Sequence, residues 1–123
     1  MAARAEIAAT TSSRAGVLQP AQTAGVAPSG HKFQNDGKTI LEVQNVNAAA
    51  RVLTIQVSSL VDGLAVTNRA VSVPGSGGLP SWVGPFPPDT YNRNDGTVDS
   101  NMVYLDYPAG NESDLKIQVL RLP

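Results

Sequence analysis

The segment KTILEVQNVNAAARVLTIQVSSLV, residues 38–61, decides the fold because its apolar and polar residues alternate. Residues 38–46 place Leu41 and Val43 on one face, and residues 51–61 continue the same alternation from Leu53 onward. Alternation with a period of two is typical of a β-strand with one buried face. Residues 47–50 (NAAA) provide the turn, so the segment predicts two consecutive strands.

The same pattern continues towards the C-terminus, with turn residues between short runs. Residues 64–73, 102–107 and 114–122 alternate, Asp62-Gly63 is a turn signal, and residues 74–78 (PGSGG) form a loop. No helix is predicted after residue 30. We therefore predict an all-β fold, a small antiparallel β-sandwich or barrel of about six to eight short strands with an extended N-terminal arm.

The alternation also predicts which side chains form the core, because every second residue of a strand points to the same face. The predicted core consists of Leu41, Val43, Leu53, Ile55, Val57, Val71, Val73, Val103, Leu105, Leu115, Ile117 and Val119.

Residues 1–30 differ from the rest and are interpreted as an extended arm, with the β-sandwich domain at residues 31–123. The arm is rich in Ala, Thr, Ser and Gly and has few large apolar residues, so it cannot form a core alone. We expect a tether that becomes ordered on a partner, where Arg4 and Arg14 meet acidic groups of a neighbouring subunit.

Composition excludes several classes of protein. The 123 residues include 9 Lys+Arg and 10 Asp+Glu, a net charge of −1, so a strongly basic nucleic-acid binder is excluded. The absence of cysteine and the single histidine exclude disulfides, thiolate catalysis and multi-histidine metal sites. No run is apolar enough for a membrane span or a secretory signal. Charged residues are only 15%, which favours a surface that faces another protein.

Catalysis finds little support, and we assign no catalytic, cofactor-binding or metal-ligating residue and expect no cofactor. His31 lies near Ser29 and Asp36 in the sequence, but no nucleophile motif accompanies them. Residues 89–114 carry six acids and one arginine. Their spacing does not fit an EF-hand, and the interpretations left open are an irregular calcium site or an acidic patch that meets a basic neighbour.

Two loops rich in Gly and Pro, residues 74–80 and 85–91, are predicted to contact a partner. Trp82, Phe86 and Tyr91 lie in or beside them and are candidate contact residues, because aromatic side chains are frequent anchors at interfaces. The competing interpretation is a rigid crossover at residues 85–88 that buries Phe86 and Trp82 in the core.

Several motifs, in this order, resemble those of a family of small tailed-bacteriophage head proteins, the capsid decoration (cement) and minor head proteins. They are residues 30–33 (GHKF), 35–37 (NDG), 41–43 (LEV), 62–66 (DGLAV), 84–87 (GPFP), 91–92 (YN), 95–96 (DG) and 119–122 (VLRL). The resemblance covers residues 16–122. The chain departs from it in the added residues 99–101 and in a longer arm.

The resemblance implies a non-enzymatic protein that binds the outer surface of the mature phage head and stabilises it by bridging major capsid subunits. The major capsid protein is then the partner, with no nucleic acid or membrane involved. The location is the virion surface after synthesis in the host cytoplasm. A homotrimer is the expected self-association, and a monomer is its competitor. The alternative functions are a carbohydrate-binding β-sandwich module and another minor virion protein of the tail or connector.

Overall fold

The computed structural model describes residues 4–18, 21–27, 29–57, 60–62, 64–65, 67–75, 79–93 and 101–123. The elements, in chain order, are β1 (Ala5–Glu6), β2 (Ala9–Thr11), β3 (Thr23–Ala24), β4 (His31–Gln34), β5 (Thr39–Asn45), β6 (Arg51–Ile55), β7 (Leu60–Val61), β8 (Leu64–Ala65), β9 (Arg69–Val73), β10 (Ser81–Val83), α1 (Pro88–Tyr91), β11 (Met102–Asp106), a 3-10 turn (Glu112–Asp114) and β12 (Leu115–Arg121).

Ten of these strands form two sheets, which confirms the predicted β-sandwich. The first sheet has the order β1-β4-β11-β6-β9, and the second has the order β10-β5-β12-β2, with β3 also paired to β12. Strands β7 and β8 pair antiparallel on either side of the predicted turn, of which Asp62 is described and Gly63 lies outside the described residues. The pairs among β4, β5, β6, β9, β10, β11 and β12 are antiparallel, as predicted, whereas β1 and β2 pair in parallel.

The core between the sheets confirms most of the predicted positions. Ten of the twelve predicted residues are buried, and Val57 and Val71 are partly buried and pack against them. Alternate side chains of β5 and β12 enter this core together, since Val43 is the register partner of Ile117. The buried hydrophobic residues outside the predicted core list are Ile7, Phe33, Phe86, Tyr91, Met102 and Tyr107.

The turn predicted at residues 47–50 carries the chain from one sheet to the other, because β5 belongs to the second sheet and β6 to the first. The buried side chain of Asn45 stabilises this turn through hydrogen bonds to the backbone. Its Nδ2 donates to the carbonyl oxygens of Ala49 (2.9 Å) and Val73 (3.0 Å), and its Oδ1 accepts from the N–H of Asn47 (2.9 Å). Gly75 passes so close to this turn that a Cβ would overlap its backbone.

The N-terminal arm is extended, as predicted, but its described residues lie along both sheets, which contradicts the expectation of a tether without its own place in the fold. Strand β1 pairs with β4 in the first sheet and β2 pairs with β12 in the second. Ile7, between them, enters the core and is 7% exposed. The physical reason is that the edges of β4 and β12 offer backbone groups that need hydrogen-bond partners.

Two further elements differ from the sequence prediction. Strand β4 was not given bounds from the sequence, because its four residues repeat the alternation only twice, at His31 and Phe33. The helical turn α1 begins directly after Pro87, and Tyr91 N–H donates to the Pro87 carbonyl.

Within the described residues, no helix is long and apolar enough to cross a membrane.

Candidate interaction surface

The outer face of the second sheet carries an exposed aromatic side chain. Trp82, in the edge strand β10, is 80% exposed, and its neighbour Val83 turns inward and packs against the core. Trp82 is the register partner of Glu42, which in turn is the partner of Gln118. These three residues therefore form one row across β10, β5 and β12.

A second apolar region lies towards the opposite edge of the same face. Leu120 is the register partner of Ile40 on one side and of Thr10 on the other. Together with Val17 and Leu18 of the arm, Leu120 lines a groove of about 210 Å³. Leu18 is 92% exposed, so the groove has an apolar rim that faces solvent.

We call this surface the Trp82 face and define it as Ile40, Glu42, Trp82, Gln118 and Leu120 with Val17 and Leu18 of the arm. Its centre is polar, with Glu42 half-buried and Gln118 buried, and its two ends are apolar. Leu79, which precedes Trp82 by three residues in the sequence, is also exposed, at 77%. Large exposed apolar side chains beside satisfied polar groups are typical of a protein–protein contact surface.

The outer face of the first sheet is different, because its charged groups satisfy one another. Tyr104 of β11 lies between two guanidinium groups, with Arg4 and Arg93 each 4.2 Å from the ring centroid. Arg4 also forms an ion pair with Asp106 (2.7 Å), and Gln56 donates to the other oxygen of that carboxylate (2.7 Å). The Trp82 face differs in presenting large apolar side chains, Trp82 and Leu18, to solvent.

Two of the predicted aromatic contact residues are buried, which corrects their assignment to the surface. Phe86 is 3% exposed and Tyr91 is 9% exposed, and their rings pack edge to face with centroids 5.3 Å apart. Phe86 also contacts Phe33, at 5.6 Å. The crossover at residues 85–88 therefore buries Phe86, as the competing interpretation predicted, but it leaves Trp82 outside. Of the two loops, residues 76–78 lie outside the described residues.

The two predicted arginine contacts also have different environments. Arg4 meets an acidic group of its own chain, Asp106, and donates to the Leu105 carbonyl at 3.0 Å, and its contact with a neighbouring subunit stays a prediction. Arg14 lies in the exposed segment between β2 and β3. Of the five predicted contact residues, Trp82 and Arg14 are exposed to solvent. The sequence prediction missed Leu120, Val17 and Leu18, which the arm brings together.

His31 has a structural partner and does not join the acid near it in sequence. Its Nδ1 lies 2.7 Å from the Tyr107 hydroxyl, and the two rings pack edge to face. Burial and the positive charge of Arg4 lower the pKa of His31, and burial and the charge of Asp106 raise the pKa of Tyr107. Asp36 binds Arg121 instead, at 2.7 Å from its Nε, and this hydrogen bond lowers the pKa of Asp36.

The acidic segment provides ion pairs within the chain. Asp106 pairs with Arg4, and Asp114 pairs with Arg51 at 3.1 Å. Asp95 and Asp99 lie outside the described residues. Among the residues that are described, no three His, Asp or Glu side chains lie close enough together to hold a metal ion. A polar depression of about 810 Å³ is lined in its described part by carboxylates, amides, small residues and Arg121.

The fold and this surface define a small two-sheet β-sandwich with an exposed aromatic side chain on one face. Comparison with known proteins adds no family to that description: no family model, no curated protein and no solved structure matches the chain.

Proposed function

We propose that the chain is a decoration protein that binds the outer surface of a tailed-bacteriophage head and uses the Trp82 face to contact the major capsid protein. The observation that carries the proposal is the 80% exposure of Trp82 on a sheet face with apolar residues at both ends. The family resemblance supplies the identity of the partner. The proposed role is structural, without a catalytic step.

The composition and the packing support a protein that presents a rigid surface. Charged residues make up only 15% of the chain, which lowers the cost of removing water from its surface. Trp82 is held by a strand that is paired to the central strand β5, so little backbone freedom is lost when it binds.

The physical basis of such a function is selective binding to one state of the head. A protein that binds the mature lattice, and not the immature one, stabilises the mature state by mass action. Bridging of neighbouring capsid subunits provides that selectivity, because the distances between subunits change on maturation. A homotrimer placed over a symmetry axis of the lattice is the arrangement we propose for this bridge.

Counting copies in purified particles tests the proposal. Virions of the phage that encodes the chain are purified, and the ratio of the chain to the major capsid protein is measured by quantitative mass spectrometry. About one copy per major capsid subunit, removable without loss of the capsid shell, is the expected result. A few copies per particle would assign the chain to the tail or connector, and absence from the particle would overturn the proposal.

A further inference from the structure

The two sides of the sandwich, where the edge strands of the sheets lie, are closed in different ways. On one side the edge strands are β1 and β2, and Ile7 between them enters the core. On the other side they are β9 of the first sheet and β10 of the second. There Phe86 and Tyr91 are buried, but a cavity of about 520 Å³ remains open beside them.

This cavity has apolar walls and continues along the start of β9. Ile55, Val83 and Phe86 line it, and two of them are fully part of the core. A second cavity of about 280 Å³ shares Arg69 and Tyr91 with the first and is also lined by residues 67–70. We call the two cavities the Arg69 cleft, which lies between β9 and residues 83–91.

Strand β9 places a charged residue on the side that faces the core. Val73 is buried, and Val71, two residues earlier, packs partly buried against the core. Arg69 continues this alternation and is the register partner of the buried Ile55. The Nε of Arg69 donates to the Tyr91 hydroxyl at 3.2 Å, which fixes the guanidinium at the cleft, and Arg69 is exposed there.

The guanidinium of Arg69 has no acidic partner among the described residues. Ion pairs in this part of the chain involve Arg4, Arg51 and Arg121. No Asp or Glu is among the described residues that line the cleft. Because a guanidinium matches a carboxylate with two parallel hydrogen bonds and is weakly hydrated, an acidic group beside an apolar one is the ligand that suits this cleft.

Strand β9 also has an open edge. All five of its residues pair with β6, and no described strand pairs with its other side. The backbone groups of such an edge are available to an added strand, and adjacent side-chain pockets select the sequence of that strand. Its inward residues would lie opposite Arg69 and Val71, two positions apart, where an acidic and a β-branched side chain give favourable cross-strand pairs.

We propose that the Arg69 cleft binds an extended acidic segment of a partner protein, which pairs with β9 as an added strand. Its carboxylate binds Arg69, and an apolar side chain two positions away covers Val71. The inference rests on the cleft and on β9. It does not depend on the proposed capsid contact, which uses the outer face of the second sheet.

Synthetic peptides test the proposal with the full-length protein. The peptides ETVTV and VTVTE carry one Glu and two Val at alternate positions, one for each direction of the added strand, and both have blocked ends. Their controls, QTVTV and VTVTQ, have Gln in place of Glu. Each is titrated to millimolar concentration into isotope-labelled protein, and nuclear magnetic resonance records the amide shifts and the hydrogen exchange of residues 69–73.

We expect one of the Glu peptides to shift the amides of β9 and to slow their exchange, and its Gln control to bind about tenfold more weakly. Arg69→Gln should weaken binding of the Glu peptide by a similar factor and leave binding of the Gln peptide unchanged, because the two changes remove the same pair. Arg14→Gln removes an equal charge from an exposed position outside the cleft and should leave both affinities unchanged.

Three results would overturn the proposal: no binding of either Glu peptide, equal binding of the Glu and Gln peptides, or amide shifts at Trp82 instead of β9. Protection of residues 69–73 that rises with the concentration of the free protein would also overturn it, since a second copy would then occupy the edge. The comparison of Glu and Gln peptides uses the natural protein and does not depend on the folding of a variant.

Discussion

At the scale of single residues, the environment of a side chain depends on partners distant in the sequence. Arg4 and Arg14 are equivalent in composition, yet Arg4 pairs with Asp106, 102 positions later, and Arg14 is exposed. Trp82 and Phe86 lie four residues apart, but β10 turns Trp82 outward whereas the crossover turns Phe86 into the core. Residue type alone therefore does not predict which of the two arginines, or which of the two aromatic residues, is exposed.

The two arginines give a matched pair of variants. Arg4→Ala removes an ion pair and a hydrogen bond from a side chain that is 19% exposed, so we expect it to lower the free energy of unfolding by about 1–3 kcal/mol. Arg14→Ala should change it by less than about 0.5 kcal/mol. Urea unfolding measures both. Equal, small effects would show that the contacts of Arg4 do not stabilise the fold.

His31 predicts how stability depends on pH. Its pKa in the folded protein lies below the ordinary 6.5, because the side chain is buried and near Arg4. The unfolded state therefore binds the proton more readily, and stability should be full above pH 6.5 and decline as the pH falls below it. Thermal unfolding between pH 8 and pH 5 measures this. Since His31 is the only histidine, His31→Gln should flatten the dependence near pH 6, and an unchanged profile would contradict the assignment.

At the scale of elements, the turn between β5 and β6 depends on one buried amide. Asn45→Ala removes two donors to backbone carbonyls and one acceptor, so we expect a loss of about 1–3 kcal/mol in the free energy of unfolding. Asn47→Ala is the control, because its Oδ1 accepts one exposed N–H, that of Ala49. Denaturant unfolding of the two variants should rank Asn45 well above Asn47. The reverse order would show that the side chain of Asn45 is not what stabilises this turn.

Elements were predictable where strands are long enough for alternation to repeat. Seven residues in β5 and seven in β12 gave correct core positions such as Val43 and Ile117. Strands β1 and β2 belong to residues 4–12, which we call the N-terminal clasp. They have two and three residues and include Ala and Thr, so no periodicity distinguishes them from a loop. Their pairing is determined by open edges elsewhere in the fold, which the local sequence does not encode. For the same reason the Trp82 face was predicted only in part, at Trp82.

The clasp should stabilise the fold through its single large apolar side chain. Ile7→Ala leaves a gap in the core and is expected to cost about 2–5 kcal/mol. Val17→Ala, at a position that is 49% exposed, should change the free energy of unfolding by less than about 0.5 kcal/mol. Thermal and urea unfolding provide the comparison. If Ile7→Ala were as mild as Val17→Ala, the clasp would not be a packed part of the sandwich.

At the scale of the whole molecule, the two outer faces of the sandwich differ in the side chains that they present to solvent. The first sheet is covered by mutually satisfied groups around Tyr104, and the second presents the Trp82 face, with apolar residues at both edges. The clasp contributes to both outer faces, because Arg4 contacts Asp106 on the first face and β2 lies beside Leu120 on the second. A change in the clasp therefore affects both stability and the proposed binding surface, whereas a change at Trp82 affects one surface only.

A substitution of Trp82 should consequently change the affinity for the capsid without changing the free energy of unfolding. Trp82→Ala removes a side chain that is 80% exposed, so the free energy of unfolding should stay within about 0.5 kcal/mol of the natural protein. If Trp82 anchors the contact with the capsid, affinity for phage heads prepared without the protein should fall by about 30-fold, corresponding to about 2 kcal/mol. Co-sedimentation with such heads measures the affinity. Val52→Ala, at an exposed apolar position of the first sheet, is the control and should leave binding unchanged. Loss of stability in Trp82→Ala would make Trp82 part of the fold, and equal binding by both variants would move the capsid contact away from the Trp82 face.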